Sequence, residues 1–377
     1  MARRTWKRRL GRALALLVLV VFALGGAAVW RWTRFPATSG TLLGAGLERP
    51  IEILRGPYGV PHIIAANPRD AYWGLGFCEA QDRALQIEMF RRAASGRLAE
   101  VIGADMLPLD ELARTVGFRR IAARQLENAS PQALALTRSF TDGINAGLKS
   151  LKYKPPEFAL LGIDPEPWTP LDCIAIARLV SWGLAGDFHT EVLFEKIARR
   201  IGPERARLLL PTATRTAGVE QAMAPAPAAS ALLARGDELL LGLGVATGCS
   251  NWIVSGARSA SGKPLLAYDS HQGGARIPGE VYLAHMVGGA DLDVMGGMIV
   301  GLPGVYAGAS RAIAFAPTNL GADAQDLVEV AVDPAHPDVY EAAWKRLPFS
   351  IREESIAVKG RADPVRLTVR ETVLGPI

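Results

Sequence analysis

Ser250 stands in Thr247-Gly248-Cys249-Ser250-Asn251-Trp252, where an Ala-, Pro- and Thr-rich stretch gives way to short alternating runs. By type alone it is one serine among many. Conventional serine hydrolases of the α/β class carry their nucleophile on a G-x-S-x-G elbow, and no such motif occurs here. Gly256-Ala257-Arg258-Ser259-Ala260-Ser261-Gly262-Lys263-Pro264 approaches a phosphate loop. It has one residue too many between the glycines, and Pro follows the Lys where Ser or Thr is required, so it reads as a hairpin loop. There is no H-E-x-x-H and no paired-cysteine zinc spacing. His62, His189, His285 and His336 take structural readings; among them His189, in Asp187-Phe188-His189-Thr190-Glu191, is the one expected to approach a substrate pocket.

The elements that must position Ser250 fall into two textures. Leu47 to Ile64 reads as strand, turn, strand, with Gly56-Pro57-Tyr58-Gly59 as the turn. Asp70 is expected to cap a helix in which Leu85, Ile87, Phe90 and Ala94 share a buried side, with breaks at Gly96 and Gly103. Residues 110–151 are helical in pattern. Thr169-Pro170-Leu171-Asp172 has the form of a capping box ahead of an apolar helix. Part of the stretch from Pro211 to Gly248 reads as a surface linker. After Ser250 the period changes to two, in runs such as NWIVSG, PLLAYDS, VYLAHMV, LVEVAV, SIREESIAVKG and RLTVRETV. Helices followed by strands predict an α+β architecture.

With 377 residues, 49% hydrophobic and 21% charged, the composition is that of a globular chain. The net charge of +5 is carried by Arg3, Arg4, Lys7, Arg8, Arg9 and Arg12; without them 36 basic side chains face 37 acidic ones. A nucleic-acid binder would carry its excess on the folded domain, so no nucleic-acid partner is expected. The six basic residues precede the apolar run Ala13 to Trp30, the pattern of a signal peptide or an uncleaved inner-membrane anchor. A periplasmic or exported body is therefore expected. The cysteines Cys78, Cys173 and Cys249 are too few for a disulfide framework, and the first two read as small buried hydrophobes.

Four segments, in order, carry a resemblance. They are the run from Tyr58 to Gly103, the run from Pro155 to Leu179, Ser250-Asn251-Trp252 with Asp269-Ser270-His271, and Pro317-Thr318-Asn319-Leu320-Gly321-Ala322-Asp323-Ala324-Gln325-Asp326. Together they resemble the penicillin acylase family. The resemblance implies an N-terminal-nucleophile hydrolase with a four-layer αββα sandwich of two antiparallel sheets. It divides the chain into a leader (1–35), an α-subunit region (45–210), a spacer (211–249) and the start of a β subunit (250–377), with an α/β heterodimer after self-cleavage at Cys249–Ser250. The substrate it implies is a small-molecule N-acyl amide. Ser250 would be the nucleophile and its freed α-amino group, with a pKa near ~8, the base. Asn319 would donate its backbone N–H to the oxyanion, and His271 would sit near the amine. Asp323, Asp326 and the carbonyl of Gln325, with Glu191 from the α region, would hold one structural Ca2+, a hard cation suited to oxygen ligands.

Two departures qualify the resemblance. Cys249 replaces the smaller residue usual before the nucleophile, which admits slowed cleavage or a cut before Cys249 that would expose a thiol. The sequence also stops at Ile377 inside a strand-like run, so the fold is expected to be incomplete there. If nothing follows Ile377, little turnover is expected. The readings weighed against an amidase are a non-catalytic, membrane-anchored binding protein or inactive homologue of the same fold, and a processing hydrolase of acyl-lipids or peptides.

Overall fold

A computed structural model describes residues 2–34, 36, 38–185, 188–209, 249–271, 278–319, 324–325, 328, 330–342 and 345–377. The linker expected at 211–248 lies outside these residues, as do Asp323 and Asp326.

The first helix, α1 (Ala2–Arg34), contains the apolar run, and its Leu14, Leu17, Leu19 and Phe22 are all exposed. Among the described residues no helix is long and apolar enough to cross a membrane.

Strands β1 (Glu52–Arg55) and β2 (Pro61–Ala65) form the expected hairpin, with Gly59 at φ 78° in the turn, a backbone setting that glycine adopts without strain. Helix α2 (Pro68–Ser95) follows. Its cap is Asn67 rather than Asp70: Asn67 Oδ1 accepts from Asp70 N at 2.9 Å, with Pro68 in the first turn. Asp70 is buried instead, and its carboxylate accepts from the backbone N–H groups of Glu48 (2.9 Å) and Arg49 (3.1 Å). A carboxylate three residues inside the helix is also well placed toward its positive end. Gly96 ends α2 in the left-handed conformation at φ 63°.

Helices α3 (Leu107–Val116), α4 (Phe118–Glu127) and α5 (Pro131–Ser150) fill the segment expected to be helical. The α2–α5 crossing is close because of glycine. A Cβ on Gly76 would lie 2.0 Å from the Phe140 carbonyl oxygen, and one on Gly143 would lie 1.9 Å from that of Trp73. After the short α6 (Pro156–Leu161), helix α7 (Pro170–Leu184) opens on the predicted box: Asp172 Oδ2 accepts from the Thr169 N–H at 2.9 Å. Helices α8 (Phe188–Ile201) and α9 (Pro203–Arg207) complete the first part.

Ser250 begins β3 (Ser250–Val254), paired antiparallel with β4 (Leu265–Asp269) across the predicted hairpin loop. Then come β5 (Val281–Gly288), β6 (Leu292–Ile299), β7 (Ala307–Ser310) and β8 (Ala314–Phe315). With the first hairpin they form a six-stranded sheet in the order β1-β2-β5-β6-β7-β8. Its neighbours are antiparallel except β2 and β5, which run parallel with His62 opposite His285, where the expectation was antiparallel throughout. Parallel strands need a long crossover, and more than two hundred residues separate this pair in sequence. Tyr282, Ala284, Met286 and Gly288 alternate onto the buried face, where Ile63, Leu75, Ile87, Phe90, Phe140, Ile144, Ile176 and Met298 complete one core.

Hairpins β9 (Val339–Ala342)/β10 (Lys345–Pro348) and β11 (Ser350–Ile356)/β12 (Val365–Glu371) follow. The second is tied to the helices by Arg114–Glu354 (2.8 Å) and Arg120–Glu371 (2.6 Å). Of the run LVEVAV, Leu327 and Glu329 lie outside the described residues, and Ala331 forms a bridge with Glu341.

Candidate functional site

The β3–β4 register sets Ser250 opposite Asp269, so the chain leaving β4 carries His271 back beside the serine. Ser250 Oγ and His271 Nε2 are 3.3 Å apart. His271 Nε2 is also 3.4 Å from Asp269 Oδ2. A Ser-His-Asp relay uses both ring nitrogens, one toward the hydroxyl and one toward the acid. Here one nitrogen faces both partners, so the trio is not a relay. His271 has φ 23°, among the described residues the one non-glycine position with positive φ, a backbone setting held against local preference.

On the other side of Ser250, the Cys249 side chain lies between two phenols. Its Sγ is 3.7 Å from Tyr268 Oη and 4.0 Å from Tyr306 Oη. The two rings meet edge to face, with centroids 6.0 Å apart. Burial raises the hydroxyl of Tyr268 above the usual phenol range, and its neighbours Tyr306 and Cys249 add to the shift. Burial raises that of Tyr306 as well. Both are therefore protonated near neutral pH.

Asn251 connects the serine strand to the Asn319 segment. Its Nδ2 donates to the Ala316 carbonyl (3.0 Å) and to Thr318 Oγ1 (2.6 Å). That segment is fastened to the end of α7, where Asn319 Nδ2 donates to Leu184 O (2.8 Å) and Gln325 Nε2 to Trp182 O (3.0 Å). Terminal carbonyls of a helix lack intrahelical partners, and these two amides satisfy two of them.

Of the residues singled out from sequence, Ser250 and His271 are brought together, and Asn319 is joined to them through Asn251 and Thr318. Gln325 is held by its side chain at α7. Asp323 and Asp326 lie outside the described residues, as do the side chains of Glu191 and His189, so of the expected calcium set Gln325 alone falls among the described side chains. Among the described residues no group of three or more His, Cys, Asp or Glu side chains is placed to hold a metal.

Sequence reasoning gave no role to Asp269, Asn251, Tyr268 or Tyr306. Asp269 and Asn251 lay inside the quoted motifs; the tyrosines had no local signal. His62 and His285, read as structural, form a linked pair, with Nδ1 atoms 3.2 Å apart. His285 Nε2 also lies 3.0 Å from Asp293, whose other oxygen accepts from Arg311 at 2.5 Å. Cys78 and Cys173 are buried as expected, and burial lifts the Cys78 thiol to about 12, which leaves it inert.

A family model for penicillin amidase matches residues 50–377. The penicillin acylase 2 proenzyme of Pseudomonas sp. (strain SE83) is 32% identical over 91% of this chain and 45% of its own length. The acyl-homoserine lactone acylase QuiP of Pseudomonas aeruginosa is 32% identical over 98% of this chain and 45% of its own. Penicillin G acylase of Escherichia coli is 25% identical over 87% of this chain and 45% of its own. A solved thermostable penicillin G acylase from Alcaligenes faecalis matches at 26% identity over 47% of this chain and 98% of that one, with a TM-score of 0.38. The chain thus spans about half the length of the curated relatives it matches.

Proposed function

The chain belongs to the penicillin amidase family, and from that premise we propose that it is part of a self-cleaving amidase whose nucleophile is the N-terminal serine generated at Ser250. In maturation Ser250 Oγ attacks the Cys249 carbonyl, the Cys249–Ser250 amide becomes an ester, and water releases the two chains. The freed α-amino group then serves Ser250 as base, so no relay is needed. In turnover Oγ adds to the carbonyl of an N-acyl amide, the amine leaves with a proton, and water hydrolyses the acyl-enzyme to the acid.

The observation that carries this reading is the position of Ser250: the first residue of β3, with its Oγ 3.3 Å from His271 Nε2. In the uncut chain Ser250 has no free amine, and among the described residues the His271 imidazole is within reach to take its proton. A cut before Cys249 fits less well, because the Cys249 thiol faces two phenols rather than a base. The names of the relatives, penicillin acylase and acyl-homoserine lactone acylase, favour a linear acyl amide as substrate.

The Asn319 backbone N–H donates to the oxyanion, a contact worth roughly 3–4 kcal/mol when such a donor is removed. Asp323, Asp326, the Gln325 carbonyl and Glu191 hold one Ca2+, whose charge would brace the segment carrying Asn319. The two chains remain together in four layers, and the body is exported, with residues 13–30 as signal or anchor. Chromogenic N-acyl amides from acetyl to dodecanoyl and phenylacetyl test the reading. The full-length protein should hydrolyse at least one of them and Ser250→Ala none; equal activity in the two would refute it.

A further inference from the structure

The reaction proposed above needs two groups from different elements at a fixed separation: the Ser250 hydroxyl on β3 and the Asn319 backbone N–H beyond the end of β8. Among the described residues β3 pairs with β4 alone and the six-stranded sheet ends at β8, so no backbone ladder joins the two. A side chain makes the join. Asn251, next to the nucleophile, directs its amide nitrogen to the Ala316 carbonyl at 3.0 Å and to Thr318 Oγ1 at 2.6 Å. A carbonyl can only accept, so it is the nitrogen of the amide, and not its oxygen, that faces this segment.

Two contacts spaced along one segment set its position lengthwise as well as its distance from β3. From the other side the Asn319 Nδ2 donates to Leu184 O at 2.8 Å, at the end of α7. The helix therefore fixes the Asn319 side chain, and Asn251 fixes the backbone just ahead of it. Successive side chains of a strand alternate in direction, so Asn251 turns away from the side that Ser250 Oγ takes. It acts on the reaction through residues 316–319 rather than by touching substrate.

We propose that Asn251 is a positioning residue: its amide sets the oxyanion donor of Asn319 against the Ser250 hydroxyl, and Thr318 is a contact through which it acts. The proposal rests on the reading above, with Ser250 as nucleophile and Asn319 as donor. An oxyanion donor works on charge that develops in the transition state, so losing its placement lowers kcat and leaves KM nearly unchanged.

The test is kcat and KM on a chromogenic N-acyl amide that the full-length wild type hydrolyses, for Asn251→Ala, Thr318→Val and Thr318→Ser, each with its N-terminal serine verified. Thr318→Val keeps the shape and removes the acceptor; Thr318→Ser keeps the acceptor. Asn251→Ala should lower kcat by about 10- to 100-fold, a fall of the size that a shift of about 1 Å in a reacting group produces. Thr318→Val should lower it by about three- to tenfold, the order of one net hydrogen bond, and Thr318→Ser should restore it. KM should stay within about twofold in all three. Asn251→Ala,Thr318→Val should lose no more than Asn251→Ala alone, because the two share one contact. An unchanged kcat in Asn251→Ala, a rise in KM that accounts for the whole loss, or equal behaviour of Thr318→Val and Thr318→Ser would overturn the positioning role and leave the amidase reading standing. If Asn251→Ala stays uncut, the two Thr318 variants decide. A correctly cut wild type that hydrolyses no amide removes both.

Discussion

At Ser250 the decisive relation is a single hydrogen-bond distance. His271 reaches the hydroxyl with the same nitrogen that faces Asp269, which suits a transient proton acceptor better than a fixed relay. His271→Gln should therefore slow self-cleavage by about 10²-fold, read as the fraction of split chain against time, while the unfolding midpoint stays near wild type. An unchanged rate would assign the imidazole to structure.

Glu79 lends the fold a pH dependence. It lies on α2, fully buried; its Oε2 accepts from the Gly301 N–H at 2.8 Å, and its Oε1 has no hydrogen-bond partner among the described residues. Burial pushes its carboxyl up to about 8 from an ordinary 4.5. The folded protein therefore keeps a proton that the unfolded chain loses, and Glu79 makes stability decline as pH rises from about 4.5 to about 8. Glu79→Gln should flatten that decline by more than ~1 kcal/mol between pH 5 and pH 8, measured by urea unfolding. A parallel pair of pH curves would show that Glu79 is ionised throughout.

Among the elements, the helix crossing and the helix start carry the testable energies. Gly76→Ala places a methyl against the Phe140 carbonyl and should cost about 1–3 kcal/mol through forced separation of α2 and α5. Asp172→Ala removes the reciprocal cap of α7 and the Arg119 ion pair at 2.8 Å, with an expected loss of about 1–2 kcal/mol. Elements of this kind were readable from sequence because their causes are local. Thr169-Pro170-Leu171-Asp172 announced its own cap, Gly56-Pro57-Tyr58-Gly59 its turn, and the break in period at Ser250 the start of β3. The cap of α2 lies three residues before the expected Asp70 because Asp70 and Asn67 are both good caps; Pro68 after Asn67 is the signal that separates them. The parallel β2–β5 pairing, the His62–His285 contact and the tyrosine pair around Cys249 join residues with no shared local pattern, and periodicity carries no information about such pairs.

Across the molecule, one core is built from both sides of residues 210–248. Ile63, Leu75, Ile87, Phe140 and Ile176 come from the first part, and Tyr282, Ala284, Met286 and Met298 from the second. The β2–β5 ladder crosses the same divide. Fully burying each such large side chain contributes roughly 1.5–3 kcal/mol, so severing the chain at Ser250 leaves the shared core intact. The cut protein should run as one species on native gel filtration and resolve into two chains only in denaturant; separate native peaks would contradict a shared core.

On the proposed reading Ser250 cuts the chain ahead of itself and thereby becomes the nucleophile. Intact mass and N-terminal sequencing of the purified full-length protein, beside Ser250→Ala, test it most directly. The expected result is a wild-type chain beginning Ser-Asn-Trp and a variant in which the Cys249–Ser250 bond stays whole. A wild type that remains uncut, or a mature chain that begins at Cys249, would contradict it.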